Sequence, residues 1–444
     1  MTSRSFFQKK ANILFFVASI VLILLPLIRI AIVETRIPYL IDFCSYCHIS
    51  FALFKGYNPF PDHPGLPGFP PWEDMPIVYP GHMLLFAPLG FLWSKALQIA
   101  WVVFNILIVI YLTCLTLVKA CGFKWHDLLM PGRKQFIGAL CCFIFLSSNN
   151  VMDTMRLGQI PVVLALCLYW MFWGPPSRIL RTFLFAFLAV TKYSLLTVFA
   201  PLLFFKGYWK LCICAFVLFI FFSISPVFCG NDLKEVYVGY YEAVKFLFSP
   251  GHVNHYGTSG ATMCHLGFFK VPMLNHILKA ITISGCLYLF WKESKTRVFS
   301  DTLLLLALCL TMLISYHQNW DLSLIFPLFF IRLFAFARTK EWWHFGITAC
   351  FMLFLIVPGT LCLKIFSIPG GIPGLGSVFY LVDKQWSMPV YHVFPFMAFY
   401  MIALTFWSLY LYLHVKDPYC FEIPGQEKKV SSEKPVDQPE TVPV

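Results

Sequence analysis

Asp42 stands immediately after the first long apolar run, ahead of Tyr46 and His48, and its loop closes on Gly56-Tyr57-Asn58-Pro59-Phe60. A carboxylate set at a membrane surface before such a turn has no anchoring role, and it is the natural general base for taking a proton from a hydroxyl. Further polar passages hold Asp153, Arg156 and Gln159; then Lys192; then Asn254, His255 and Ser259; then His317, Asn319 and Asp321. Lys192, Arg156, His255 and His317 are groups that can contact a departing phosphate, with Lys and Arg supplying fixed charge. Ionisable groups are costly at membrane depth, so several converging on one face define a candidate site.

Each residue also has a plainer reading. Asp42 can cap the helix that follows it, Asp321 the helix after it. Arg156 can pair with Asp153 one helical turn earlier, and Lys192 can snorkel to the headgroups. Gly158-Gln159 can be a helix-entry turn, and His48 an interfacial residue. Cys44 and Cys47 form a lone CxxC, weak evidence for redox or metal chemistry.

The elements that must position these groups follow from composition. Of 444 residues, 59% are apolar and 12% charged, and the mean hydropathy is +0.74, which excludes an ordinary soluble domain and specifies a polytopic membrane protein. The excess of 33 Lys and Arg over 21 Asp and Glu falls in short clusters between apolar runs, the positive-inside pattern and not a nucleic-acid surface. Most of the sixteen cysteines sit inside apolar runs, where cysteine acts as a small hydrophobe. The basic N-terminus before residues 12–33 resembles a signal peptide, but the run is too long and lacks a small-residue cleavage site, so it reads as an uncleaved first span.

Residues 34–78 are too polar to cross and form an extracytoplasmic loop, within which Ile41–Phe54 makes an interfacial helix. Segments 79–93, 97–118 and 136–146 conflict with the charge pattern: counting all three as crossings places Lys119, Lys124, Arg133 and Lys134 outside, so one of them is short or re-entrant. Beyond residue 178 the basic clusters alternate consistently, and the polar passages fall outside. Lys192 lies at a pinched junction between two short apolar runs. The whole is an all-α bundle of about 10–13 transmembrane helices, by the length rule. It comprises a cytoplasmic stretch 1–11, one membrane domain 12–415, and a disordered cytoplasmic tail 416–444. Walker A, GxGxxG and HExxH motifs are absent, as is metal-ligand spacing, so no metal and no cofactor is expected.

An acid after the first span, then Gly56 to Phe60, Tyr79-Pro80 and Ala87 to Leu89, resembles the start of glycosyltransferase family 87. Leu157-Gly158-Gln159, the Lys192 break before Trp209-Lys210, Asn254-His255 with Ser259, and Tyr316-His317 to Asp321 before Pro327 extend the likeness over most of residues 12–335. The resemblance implies a GT-C membrane fold and an inverting, polyprenyl-phosphate-mannose-dependent mannosyltransferase with Asp42 as its catalytic general base. Its site would face outward from the plasma (inner) membrane into the cell envelope. Tyr46, Arg156, Gln159, Lys192, Asn254, His255 and His317 would bind donor or substrate. Its partners would be membrane lipid, the lipid-linked sugar and a glycan or glycolipid acceptor, with no nucleic acid. Gly158-Gln159-Ile160-Pro161, Tyr79-Pro80-Gly81 and Lys192-Tyr193 depart from the family's Gly-Gln-x-Asn, Tyr-Pro-Pro and Lys-Pro, which bears on the substrate more than on the fold. A lipid or glycan transporter, and a polymerase or ligase using a diphospholipid donor, remain the alternatives.

Overall fold

The computed structural model describes residues 3–36, 40–60, 78–247, 272–314, 319–356, 367–368, 382–384, 391–393, 396–415, 419–421 and 423. The elements in order are helices α1 (Ser3–Arg36), α2 (Ile41–Phe54), α3 (Met83–Phe91), α4 (Lys95–Ala120), α5 (Trp125–Leu129), α6 (Arg133–Ser147), α7 (Asn149–Leu157), α8 (Pro161–Trp173) and α9 (Arg178–Thr191). They continue as α10 (Leu196–Leu203), α11 (Trp209–Ile224), α12 (Leu233–Leu247), α13 (Pro272–Glu293), α14 (Asp301–Ile314), α15 (Phe326–Thr339), α16 (Trp342–Phe354) and, after the short strands Ser367–Ile368, Val382–Lys384 and Tyr391–Val393 of one small sheet, α17 (Phe396–His414). The chain is therefore an all-α polytopic membrane protein.

Local sequence sets many of the boundaries. Ser94, Ser148 and Ser177 cap α4, α7 and α9 through their side-chain oxygens, and Pro161 opens α8, where its missing N–H is not needed. Among the described residues, four helical stretches can cross a membrane by length and apolar composition: residues 8–32, 95–120, 193–229 and 321–339. The pair α6 and α7, bent by 59°, makes a fifth, and α8, α14 and α16 are shorter apolar helices. The expected ten to thirteen crossings require such shorter helices to count.

The stretch from Tyr193 to Cys229 is not one crossing. Gly207 takes a left-handed φ of 87° and reverses the chain. The Tyr79 ring accordingly touches both Tyr193 at one end of the hairpin and Phe219 near the other, at 6.0 and 5.8 Å.

The conflict among the early segments resolves at α3. Its nine residues span only about 14 Å, against roughly 30 Å of hydrocarbon, so the path from α2 to α4 stays at one end of the bundle. Lys119, Lys124, Arg133 and Lys134 then fall at the end opposite Asp42. Arg338 donates to the Cys121 carbonyl, Arg332 pairs with Asp301 at 2.5 Å, and Asp301 N–H bonds Tyr419 O at 3.2 Å, which joins this end to α14, α15 and the C-terminal residues.

Two expectations change. The helix Ile41–Phe54 has the expected bounds, yet Phe43, Cys44, Cys47, Ile49, Ser50, Ala52 and Leu53 are all buried, because α3 packs over it; it is an internal helix and not one lying on the interface. The ordered domain also passes residue 415. Cys420–Phe421 pairs antiparallel with Phe299–Ser300, and the Phe421 ring, 1% exposed, stacks on Trp173 at 5.5 Å. Aromatic residues at 419 and 421 supply apolar surface that the remaining, charged tail lacks.

Candidate active site

The first turn of α2 places Asp42 at the end of the bundle away from the basic residues. Its side chain makes no cap bond, and Leu40 occupies the N-cap position, so the capping role does not apply. Gln159 donates from Nε2 to Asp42 Oδ2 at 2.6 Å, and its Oε1 accepts from the Tyr46 hydroxyl at 2.9 Å. Tyr46 lies one helical turn beyond Asp42 on the same face, so α2 presents both groups to one amide. The Gln159 amide is thus fixed in orientation from both sides.

Gly158 makes this approach possible. It ends α7 with a left-handed φ of 74°, and a Cβ there would stand 2.5 Å from Phe43 Cβ and 2.8 Å from Leu40 Cβ. Only glycine lets the α7 turn close on α2.

Lys192 sits, as expected, at a break, with φ −151° and ψ 75° between α9 and the short 3-10 turn Tyr193–Leu195. Its ammonium pairs with the fully buried carboxylate of Asp321, so Asp321 is a charge partner across the bundle and not a helix cap. The 3-10 turn Asn319–Ile325 separates Asp321 from α15, which begins at Phe326. Lys192 also acts on Asp42. Burial pushes the Asp42 carboxyl up to about 6, while the Gln159 hydrogen bond and the Lys192 ammonium both favour the anion. The side chain is half-buried, so the acid is sheltered yet reachable.

His82 was not among the expected site residues. It follows Tyr79-Pro80-Gly81 and is 3% exposed, with its ring 5.6 Å from that of Tyr46. Its Nε2 lies 3.0 Å from Val190 O and 3.3 Å from Thr191 O. Carbonyls only accept, so Nε2 carries the proton and Nδ1 is an acceptor, which has no protein partner among the described residues. Burial lowers the imidazole to about 4, keeping it neutral. Tyr79, the start of the same tripeptide, bonds Ser223 at 2.7 Å and is ringed by Tyr193, Tyr237 and Tyr240.

Arg156 is exposed at the last turn of α7, beside Gln159 in sequence but outside the hydrogen-bonded group. Asn254, His255 and His317 lie outside the described residues. Cys44 and Cys47 are free, buried thiols, and burial pushes Cys44 up to about 12, which makes it a poor thiolate. Among the described residues, no group of three or more His, Cys, Asp or Glu could hold a metal ion.

Next to Lys192 opens an apolar groove of about 470 Å³ between α9, α10 and α11. Tyr193 and Phe219 line it at the site end and Phe204 at the far end, with Ala189, Ala200 and Ala215 between them.

Fold and site together are those of an all-α polytopic membrane protein with an acid–cation centre at one end of its bundle. The sequence profile of glycosyltransferase family 87 matches residues 78–315, more than half of the chain, and the chain belongs to that family: it is a membrane glycosyltransferase. The match begins after Asp42. No curated protein and no solved structure matches.

Proposed function

We propose that this enzyme transfers a hexose, mannose by family resemblance, from a polyprenyl-phosphate donor to an acceptor hydroxyl at the extracytoplasmic face of the plasma (inner) membrane. The observation that carries the reading is the linked set Asp42, Gln159, Tyr46 and Lys192, which puts a carboxylate of raised affinity for protons beside a fixed cation. Asp42 takes the proton as the acceptor oxygen attacks the anomeric carbon. The bond from that carbon to the phosphate oxygen breaks on the opposite face, so the product is inverted and polyprenyl phosphate departs with the electron pair. Lys192 stabilises the phosphate as its charge grows, and binding it means sharing Lys192 with Asp321. Arg156 is an exposed second cation at the rim.

The groove lined by Tyr193, the residue after Lys192, supports a lipid-linked donor, since it offers apolar surface on the outside of the bundle next to the cation proposed to hold the phosphate. The outward orientation is supported by the charge pattern: Lys124, Lys134, Arg181, Lys206, Arg297 and Arg338 gather at the end opposite Asp42. Asn254, His255 and His317 are further contributors by resemblance alone.

Purified enzyme incubated with polyprenyl-phosphate-mannose, in parallel with a diphosphate-linked glycan, tests this directly. The expected result is release of polyprenyl phosphate from the first donor only. Release from the diphosphate donor instead marks a polymerase or ligase, and release from neither, with net movement of lipid, marks a transporter.

A further inference from the structure

Helix α4 touches the residues flanking both members of the Asp42–Gln159 pair. Leu40, two residues before Asp42, is the N-cap of α2, and its N–H has no helical acceptor; the buried Gln98 side chain accepts it through Oε1 at 3.1 Å. Trp101 lies one turn further along the same face of α4. Its Nε1 donates to the carbonyl of Gly158, the residue before Gln159, at 3.2 Å. Its ring stacks on Phe43, the residue after Asp42, with centroids 4.4 Å apart and planes 11° from parallel. Leu40 and Phe43 are the same two side chains that press against Gly158. One face of a spanning helix thus grips the start of α2 and the α7 turn together, although neither Gln98 nor Trp101 touches Asp42.

We infer that Gln98 and Trp101 are positioning residues that lock the start of α2 to the Gly158 turn and so hold Gln159 on the Asp42 carboxylate. The inference rests on the reading of Asp42 as the general base, but it can be tested apart from it. The charged and titratable groups that act on Asp42 are Lys192, itself paired with Asp321 on the far side, and Tyr46 through Gln159. Trp101→Phe keeps the ring over Phe43 and removes the N–H, and Gln98→Leu keeps the volume and removes the acceptor. Slackening the grip weakens the Gln159 hydrogen bond, which favours the carboxylate anion.

The test is the carboxyl infrared band of Asp42, isolated as the wild type minus Asp42→Asn difference and titrated with pH in each folded variant. The expected result is a midpoint moved to higher pH in Trp101→Phe and Gln98→Leu, in the direction given by Gln159→Leu. Alongside it kcat falls roughly 10- to 100-fold with the donor KM little changed, as for a misplaced reacting group. A midpoint unmoved in both variants, while Gln159→Leu moves it, overturns the inference, as does loss of activity that only follows loss of folded protein. A moved midpoint with wild-type kcat leaves the grip standing and removes Asp42 from the chemistry. One variant that fails to fold leaves the other to decide.

Discussion

At the scale of single residues, the proposed mechanism turns on one carboxyl whose proton affinity is set by opposing causes. Burial raises Asp42 to about 6, while Gln159 and Lys192 act the other way. A base works only when ionised, so transfer should rise as pH increases through about 6, falling roughly tenfold per unit below it, and then level off. Gln159→Leu removes an influence that lowers the value, so its acid limb should lie at higher pH than that of the wild type in an initial-rate profile. Lys192 gives a second prediction. Lys192→Met leaves the buried Asp321 carboxylate without its cation, a loss of about 3–5 kcal/mol, and should depress the melting temperature in detergent. Adding Asp321→Asn should restore stability but not transfer, because the phosphate still lacks its cation. Asp42, Gln159, Tyr46 and Lys192 were legible in the sequence as ionisable or polar residues in outward passages. Their pairing was not: Asp321 stands 129 positions from Lys192, and no local pattern links them. His82 carries no sequence signal of this kind, because a single histidine after Pro80-Gly81 has no signature until its carbonyl partner, 108 residues away, is known.

At the scale of elements, the bounds of α2 and the break at Lys192 could be read from apolar spacing and from a cation flanked by short runs. The burial of α2 and the shortness of α3 could not. Residues 79–93 are apolar enough to cross, and only the turn at Leu92 and the packing of α3 over α2 show that they do not. Gly158 connects these elements. Gly158→Ala puts a methyl group within 2.8 Å of two side chains at a left-handed φ, and should cost more than about 1 kcal/mol. It should also lower transfer beyond the loss of folded enzyme, since the displaced turn carries Gln159; thermal melting and kcat on the folded fraction check both.

At the scale of the whole molecule, the two ends are built differently. The end away from Asp42 is closed by buried polar clamps, chief among them Lys206. Its ammonium bonds Glu293 at 2.6 Å, Thr296 Oγ1 at 2.9 Å and Val298 O at 2.7 Å, holding the α10–α11 turn to the segment after α13. The Asp42 end instead carries the half-buried acid, the His82 Nδ1 that has no protein partner among the described residues, and the mouth of the apolar groove. Charge clusters in the sequence disclosed this polarity beyond residue 178, and the structure extends it to α4 and α6 once α3 is not counted. With Cys214, Cys264, Cys350, Cys362 and Cys420 replaced by Ser, a cysteine at exposed Tyr57 should react with a membrane-impermeant maleimide in intact cells, and one at Lys210 only after lysis. The reverse pattern contradicts the outward-facing site.

The central claim is that Asp42 is the base. Membranes carrying Asp42→Asn at wild-type abundance, supplied with labelled polyprenyl-phosphate-mannose and endogenous acceptor, measure it most directly. The account predicts transfer reduced by about 10²- to 10⁴-fold with the donor still bound. Transfer at the wild-type rate contradicts it.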